Sequence, residues 1–273
     1  MQALWIGNRL TQFEHNSIKS WLNNGFEYHL YTYYPVENIP DGVIVKDARD
    51  ILPESEIFYY HNALTPFSDY FRFKLLYERG GAWTDCDIYC INKFDILEDY
   101  LFISERTIKA GAFKSIKPIK PINSFIYVKN TKDKFILDML NNCIKYKNKY
   151  LENPINNNSN CKNEGLNAMH WGAGIKLFNK LIIKHNLEQY IQGYKYAFPV
   201  DWWLYSNLFK NVDKCVINRG WTGEIDITNN FFLETDIKMI TIHNGWIKNK
   251  KIDKNQVFSN CFIARLFEKI ISR

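Results

Sequence analysis

The sequence predicts an α/β fold in which helices flank a doubly wound, mixed sheet, and two observations support this prediction. Short apolar runs alternate with segments of helical periodicity from the N-terminus to the sequence DCD at residues 85–87. Glycine or proline closes the first two runs, as is common at the ends of buried parallel strands. Aromatic residues are frequent on both sides of a polar segment at 153–165, so we expect one domain over residues 1–273.

Three strands and one helix are predicted before residue 50. The strands are expected at residues 3–7, 27–33 and 42–48. The helix is expected at residues 11–25, because Ile18, Trp21 and Leu22 share one helical face and Gly25 suits a C-terminal stop.

The next helix, at residues 65–79, has the clearest signals. Thr65 can cap its N-terminus and Pro66 suits its first turn, while Gly80 and Gly81 end it. Apolar residues spaced four apart form a stripe that should face the sheet; they are Phe67, Phe71 and Leu75.

Beyond residue 95 the pattern is less regular. The prolines at 118 and 121 predict a loop over 114–123, and helices are expected at 132–151 and 174–186. The C-terminal segment, residues 257–273, is amphipathic at helical spacing. Two alternatives remain for its apolar face, which either packs on the core or rests on an anionic membrane.

Composition and charge exclude some classes of function. The net charge of +6 is a mild excess that suits an anionic substrate and does not indicate nucleic-acid binding. The six cysteines lack zinc-site or redox spacing, so we expect them to be reduced and buried. Neither a signal peptide nor a bilayer-spanning run is evident. We therefore expect a cytoplasmic protein, with peripheral contact to the inner face of a membrane as an alternative.

Asp85 and Asp87 are the strongest candidates for a functional site. On an extended strand both side chains would point the same way, and Cys86 would point into the core. Two neighbouring carboxylates repel each other and are costly to desolvate, which a divalent cation would remedy. Oxygen ligands suit magnesium or manganese, so the pair predicts a metal site that a diphosphate could complete.

The stretch FSDYFRFKLLYERGGAWTDCDIY resembles the donor-site signature of GT-A glycosyltransferases with a DXD motif. The resemblance is closest to glycosyltransferase family 32 and its relatives, which include the glycosylating domains of large clostridial toxins. The typical pattern is S-D-x-x-R, a helix, L-Y-x-x-G-G, an aromatic residue and D-x-D, and each part is present. Strong similarity covers roughly the first third of the chain, including the LWIG opening.

This resemblance implies a GT-A fold and a metal-dependent hexosyltransferase that uses Mn²⁺ or Mg²⁺. The donor would be a nucleoside-diphosphate sugar, most typically a UDP-sugar, and transfer would proceed with retention to a glycan or glycolipid hydroxyl. Residues 1–105 would bind the donor and residues 106–273 the acceptor. A protein acceptor, as in toxins, is the alternative within this class.

The resemblance also assigns roles to individual residues. Trp5 would pack on the nucleotide base, Tyr33 would lie near the ribose or base, and Asp69 and Arg72 would grip hydroxyls of the donor sugar. Asp85 and Asp87 would bind the metal, Asp87 as a residue essential for turnover.

The resemblance also implies a third metal ligand near the C-terminus, here in the sequence TIHNGWIKNK. His243 is the first choice and Asn244 the alternative, and Trp246 with Lys248 would close over the diphosphate. Asp201 is a candidate contact to the acceptor, and nearby tryptophans at 202 and 203 could stack on sugar faces or belong to the core.

Two other classes of protein were weighed against this one. A haloacid dehalogenase-type phosphatase also carries D-x-D after a strand, but near the opening strand of its domain, whereas here a helix and two glycines precede the motif. A carbohydrate-binding module would explain the tryptophans but not the paired acids.

Overall fold

A six-stranded mixed sheet organises the protein, in the strand order β3-β2-β1-β4-β7-β6. The computed structural model describes residues 1–108, 116–152, 171–210, 216–218, 224–226, 231–232 and 234–272. The strands of the sheet are β1 (Gln2–Trp5), β2 (His29–Thr32), β3 (Ile44–Asp47), β4 (Gly81–Thr84), β6 (Tyr100–Ile108) and β7 (Ile116–Val128). Two small antiparallel pairs join β5 (Ile88–Cys90) with β10 (Met239–Thr241), and β8 (Val216–Asn218) with β9 (Glu224–Asp226).

Helices pack against this sheet, which confirms the predicted α/β class with a mixed sheet. They are α1 (Gln12–Asn23), α2 (Thr65–Arg79), α3 (Lys134–Glu152), α4 (Ile175–Lys184), α5 (Asn244–Asn249) and α6 (Phe262–Ile271). All the helices and strands predicted before residue 80 form, with ends shifted by a few residues.

The first four strands in this order, β3, β2, β1 and β4, are parallel to one another. β1 lies at the centre, pairing with β2 on one side and β4 on the other. The carboxyl ends of β1 and β4 therefore meet at one edge of the sheet. In open α/β sheets this is the edge where ligands bind.

The predicted loop at 114–123 is wrong, because β7 begins at Ile116 and runs antiparallel to both β4 and β6. Only residues 126–128 of β7 pair on both sides. Pro121 lies in the part that pairs with β6 alone, close to a register shift in that ladder. Proline lacks an N–H donor and is tolerated in a strand where one side has no partner.

Helix α2 is anchored by aromatic residues. Phe67, Phe71 and Leu75 are fully buried, as the apolar stripe predicts. The N-cap position belongs to Leu64, and Thr65 is already helical, so the predicted capping role of Thr65 is wrong. The helix ends at Gly80 as expected, and its last turn leads directly into β4.

The C-terminal helix α6 packs its apolar face on the protein core. Phe262, Leu266 and Ile270 are buried in a cluster that includes Phe13 and Tyr89. Of the two alternatives stated for this apolar face, the structure shows packing on the core. No helix within the described ranges is long and apolar enough to cross a bilayer.

The cysteines of the described ranges are free and buried, as predicted; they are Cys86, Cys90, Cys143 and Cys261. Cys161 and Cys215 lie outside those ranges, as does the polar segment at 153–165.

Gly81 joins α2 to β4 in a conformation that requires glycine. Its φ is +81°, and a Cβ there would lie 3.0 Å from Nε2 of Gln2. That same amide nitrogen donates to the carbonyl oxygen of Gly80 at 2.7 Å, so it cannot move away freely. The turn therefore fixes how β4 leaves α2, and with it where Asp85 begins.

We expect Gly81→Ala to lower the free energy of unfolding by about 1–2 kcal/mol, from the left-handed backbone and the contact with Gln2. Equilibrium urea unfolding measures this change. Gly193→Ala is the matched control, because Gly193 has a φ of −59° and its Cβ would meet no atom within 4 Å. Equal stability of the two variants would contradict the account.

Candidate active site

Asp85 and Asp87 lie in the turn between β4 and β5 and not on a strand. β4 ends at Thr84 and β5 begins at Ile88, whose N–H donates to the carbonyl oxygen of Asp85. The expectation of strand alternation is therefore wrong, although Cys86 does point into the core, at 8% exposure. The turn keeps both carboxylates at the carboxyl end of β4.

Asp85 is held by two donors that meet at one oxygen. Arg72 Nη2 donates to Asp85 Oδ1 at 2.9 Å, and Trp83 Nε1 donates to the same atom at 2.8 Å. The guanidinium of Arg72 also lies over the Trp83 ring, 4.8 Å from its centroid. The carboxylate of Asp85 is thus fixed from the protein side, while a third of the side chain stays exposed.

Arg72 in turn belongs to a buried polar network. Its guanidinium lies 3.4 Å from Asp69 Oδ1 and donates to the carbonyl oxygen of Asn123. The side chain of Asn123 donates to Asp69 Oδ1 at 2.9 Å. Burial raises the pKa of Asp69 to about 6, against the opposing effect of Arg72. The motifs do not identify Asn123, because it lies in the segment that the sequence predicts to be a loop.

Asp87 is held by the beginning of α5. The backbone N–H of Asn244 donates to Asp87 Oδ2 at 2.9 Å. Burial, followed by the nearby charge of Asp85, raises the pKa of Asp87 to about 6, although His243 and the Asn244 N–H act in the opposite direction. The pair of carboxylates is therefore disfavoured in its fully ionised form.

A pocket of about 400 Å³ opens in front of these two aspartates. It is lined by β1, the first turn of α2, the end of β4 with the following turn, and the start of α5. Its lining includes Trp5, Ser68, Arg72, Asp85, Asp87 and Asn244. The volume is within the range typical of sites for small-molecule ligands.

Three residues that line this pocket each have a buried polar atom without a hydrogen-bond partner among the described residues. The atoms are the indole nitrogen Nε1 of Trp5, the guanidinium nitrogen Nε of Arg72 and the amide oxygen Oδ1 of Asn244. Buried polar atoms are normally paired, and unpaired ones often indicate a missing ligand, ion or water. Trp5, Arg72 and Asn244 therefore each contribute an unpaired polar atom at this pocket, and the role predicted for Trp5 stays a prediction.

His243 has a different environment from the one expected of a metal ligand. Its Nε2 is 3.8 Å from Glu105 Oε2, and its ring packs against Phe198 and Tyr205. Burial lowers the pKa of His243, but the carboxylates of Glu105 and Asp87 together outweigh this and raise its pKa above the usual value. His243 therefore faces Glu105, and it is not among the residues that line the pocket.

Two predicted nucleotide contacts lie away from the pocket lining. Tyr33 is 2% exposed and donates its hydroxyl to the carbonyl oxygen of Leu52, so it is part of the core. The ring of Trp246 stacks on Phe209, with centroids 5.7 Å apart. Neither position agrees with the predicted role, since neither side chain borders the space in front of the aspartates.

The residues predicted to contact the acceptor differ in their exposure to solvent. Asp201 is buried at 4% exposure and forms a two-point ion pair with Arg106, whose Nε is 3.0 Å from Asp201 Oδ1. It therefore neutralises a buried arginine and is not available to a sugar. Trp202 remains exposed and contacts Trp203 edge to face.

The atoms at this pocket that suit a divalent cation are oxygen atoms, and they do not form a complete metal-binding cluster. No three His, Cys, Asp or Glu side chains in the described part of the chain converge on one point as a metal site. Asp85 Oδ2 and Asn244 Oδ1 nevertheless have no hydrogen-bond partner among the described residues, and Asp87 accepts a hydrogen bond from the backbone N–H of Asn244. Two carboxylates and an amide oxygen are the donor types that Mg²⁺ and Mn²⁺ take.

Residues 54–155 match the model of a family described as capsular polysaccharide synthesis protein. The matched range contains α2, β4 and both aspartates, and it leaves out Trp5 and Asn244. No curated protein matches the sequence. A solved structure titled PaToxG Glycosyltransferase is similar over 69% of this chain and 70% of its own, with 15% sequence identity and a TM-score of 0.45. Membership of glycosyltransferase family 32 stays a prediction.

We expect Asp87→Asn to stabilise the metal-free protein at pH 8 by about 1 kcal/mol, because it removes one of two neighbouring charges. The usual pKa of 3.8 rises to about 6 in the folded protein, so the folded state holds more protons within that window. The contribution of Asp87 to stability therefore falls as pH rises from 4 to 6. The advantage of the variant should accordingly vanish below pH 4.

Chemical unfolding in EDTA at several pH values measures this difference. Asp201→Asn is the control, with the same chemical change at a buried ion pair; it should destabilise the protein by about 3 kcal/mol because Arg106 loses its partner. A variant at Asp87 that is less stable than the wild type at pH 8 would contradict the electrostatic account.

Proposed function

We propose that this chain is a glycosyltransferase that moves a hexose from a nucleoside-diphosphate sugar to a hydroxyl of a glycan. The observation that carries the proposal is the pocket of about 400 Å³ at the carboxyl ends of β1 and β4, with two adjacent carboxylates on its wall. The match of residues 54–155 to a capsular polysaccharide synthesis family supports the same class of activity.

The metal dependence of this activity is part of the proposal. Asp85, Asp87 and the amide oxygen of Asn244 would hold a Mn²⁺ or Mg²⁺ ion. Asn244 takes the place of the first choice, His243, because the residue lines the pocket and its amide oxygen is unpaired, whereas His243 faces Glu105. A cation bound there would neutralise negative charge that grows on the departing diphosphate.

Trp5 would receive the nucleotide base of the donor, for which a UDP-sugar is the first candidate. Its indole borders the pocket from β1, and its N–H has no partner within the described residues. A base could stack on the face of the ring, while a different acceptor atom in the plane of the ring would have to take the N–H.

Asp69 and Arg72 act mainly by organising the wall of the pocket. Arg72 borders the pocket but is only 3% exposed, and its guanidinium is already engaged by Asp69, Asp85 and Asn123. Its positive charge faces the region where the diphosphate and sugar would lie. Asp69 lies behind Arg72, so a sugar hydroxyl would reach Arg72 before it reached Asp69.

A glycan acceptor is favoured over a protein acceptor by the family match, because capsular polysaccharide is itself a glycan. Retention of configuration is the stereochemical outcome that we propose, following the resemblance. The acceptor hydroxyl would then attack from the face that the diphosphate leaves, and a phosphate oxygen would take its proton.

We expect the protein to hydrolyse or transfer sugar from at least one UDP-sugar in the presence of Mn²⁺, and Asp87→Ala to lose at least 100-fold of that turnover. Release of UDP, measured across a panel of UDP-sugars with and without EDTA, tests both statements. Asp95→Ala is the matched control, because Asp95 is exposed and outside the pocket. Activity that persists in EDTA, or in the Asp87 variant, would exclude the metal-dependent reaction.

A further inference from the structure

Trp83 provides a hydrogen-bond donor to the pocket wall in addition to the aromatic ring that the sequence pattern requires. It lies in β4, two residues before Asp85, and its side chain is 1% exposed. Its only polar atom, Nε1, donates to Asp85 Oδ1 at 2.8 Å. A phenylalanine at this position would fill the core but offer no donor.

Trp83 and Arg72 act on the same oxygen of Asp85. Arg72 Nη2 donates to Oδ1 at 2.9 Å, and its guanidinium stacks over the Trp83 ring at 4.8 Å. The indole therefore both binds Asp85 directly and positions the second donor that binds it. No hydrogen bond from the described residues reaches Asp85 Oδ2.

We propose that Trp83 is a positioning residue: its hydrogen bond holds Asp85 Oδ1 against the protein and leaves Oδ2 facing the pocket. This inference rests on the proposed function, because Oδ2 is the oxygen that a cation and diphosphate would meet. With both donors on one side, the carboxylate cannot rotate without breaking two charge-assisted hydrogen bonds. Partners of this kind orient a metal ligand, and removing one typically weakens metal binding 10- to 100-fold.

The burial of Trp83 and Arg72 relative to Asp85 supports a positioning role for Trp83 and not a contact with ligand. Trp83 and Arg72 are almost fully buried, whereas a third of the Asp85 side chain is exposed. Both donors line the pocket together with Asp85, but their burial leaves little of either side chain for a ligand to contact. The more exposed Asp85 offers the larger contact surface, and Trp83 acts on a ligand through Asp85 and Arg72.

The test compares two replacements of Trp83 in the full-length protein. Trp83→Phe removes the N–H and part of the ring. Site-specific replacement of the indole by a benzothiophene keeps the ring shape and removes only the N–H, so the fold is retained. Electron paramagnetic resonance of free Mn²⁺, in titrations with UDP or GDP, measures the affinity of each protein for the cation.

We expect both replacements to weaken Mn²⁺ binding about 10- to 100-fold, while the melting temperature of the benzothiophene protein stays near that of the wild type. Trp21→Phe is the matched control. Trp21 is also fully buried, and its Nε1 donates at 2.9 Å to the carbonyl oxygen of Ile88, which keeps a second donor from Ser17. This variant should lose stability but bind Mn²⁺ as the wild type does.

Unchanged Mn²⁺ affinity in the benzothiophene protein would overturn the positioning role and leave the proposed function intact. An equal loss of affinity in Trp21→Phe would overturn it as well, because the effect would then follow from general loosening. Wild-type protein that binds no Mn²⁺ with either nucleotide would instead reject the proposed function, and the role of Trp83 with it.

Discussion

Two carboxylates that are close in sequence, such as Asp85 and Asp87, repel each other. The hydrogen-bond donors that compensate for this repulsion come from the surrounding protein and not from the side that faces the pocket. Arg72 and Trp83 donate to Asp85, and the beginning of α5 donates to Asp87. The side that faces the pocket has no such donors within the described residues. Burial and the neighbouring charge still raise the pKa of Asp87 to about 6, so ionising both carboxylates costs free energy when no cation is bound. A site that is costly when empty and relieved by a cation is typical of functional sites.

The fold positions this pair through short connections. The turn at Gly80 and Gly81 leads from α2 into β4, and the next turn leads from β4 into β5. Arg72 on α2 therefore faces Asp85 across a single helix–strand connection. The third wall comes from far along the chain, because β10 pairs with β5 and delivers Asn244 to the pocket. The antiparallel pairing of β5 and β10 is thus what unites the donor motif with the C-terminal region.

Local signals made much of this predictable from sequence. Helix α2, its glycine end and the acidic pair depend on spacing and turn chemistry within a short stretch, and Trp5 closes the first strand. Long-range contacts were not predictable in the same way. The burial of Tyr33 against Leu52 and the pairing of Asp201 with Arg106 depend on segments distant in sequence. The choice between His243 and Asn244 depends on which side chain Glu105 engages, and nothing in the local sequence reveals that contact.

Anomalous diffraction at the manganese edge, from crystals grown with Mn²⁺ and UDP, tests the central claim most directly. The account predicts one strong peak in the pocket, bonded to oxygens of Asp85 and Asp87 and to the amide oxygen of Asn244. The indole of Trp83 should still bind the other oxygen of Asp85. A peak elsewhere, or a filled pocket in which the aspartates touch neither metal nor nucleotide, would contradict it.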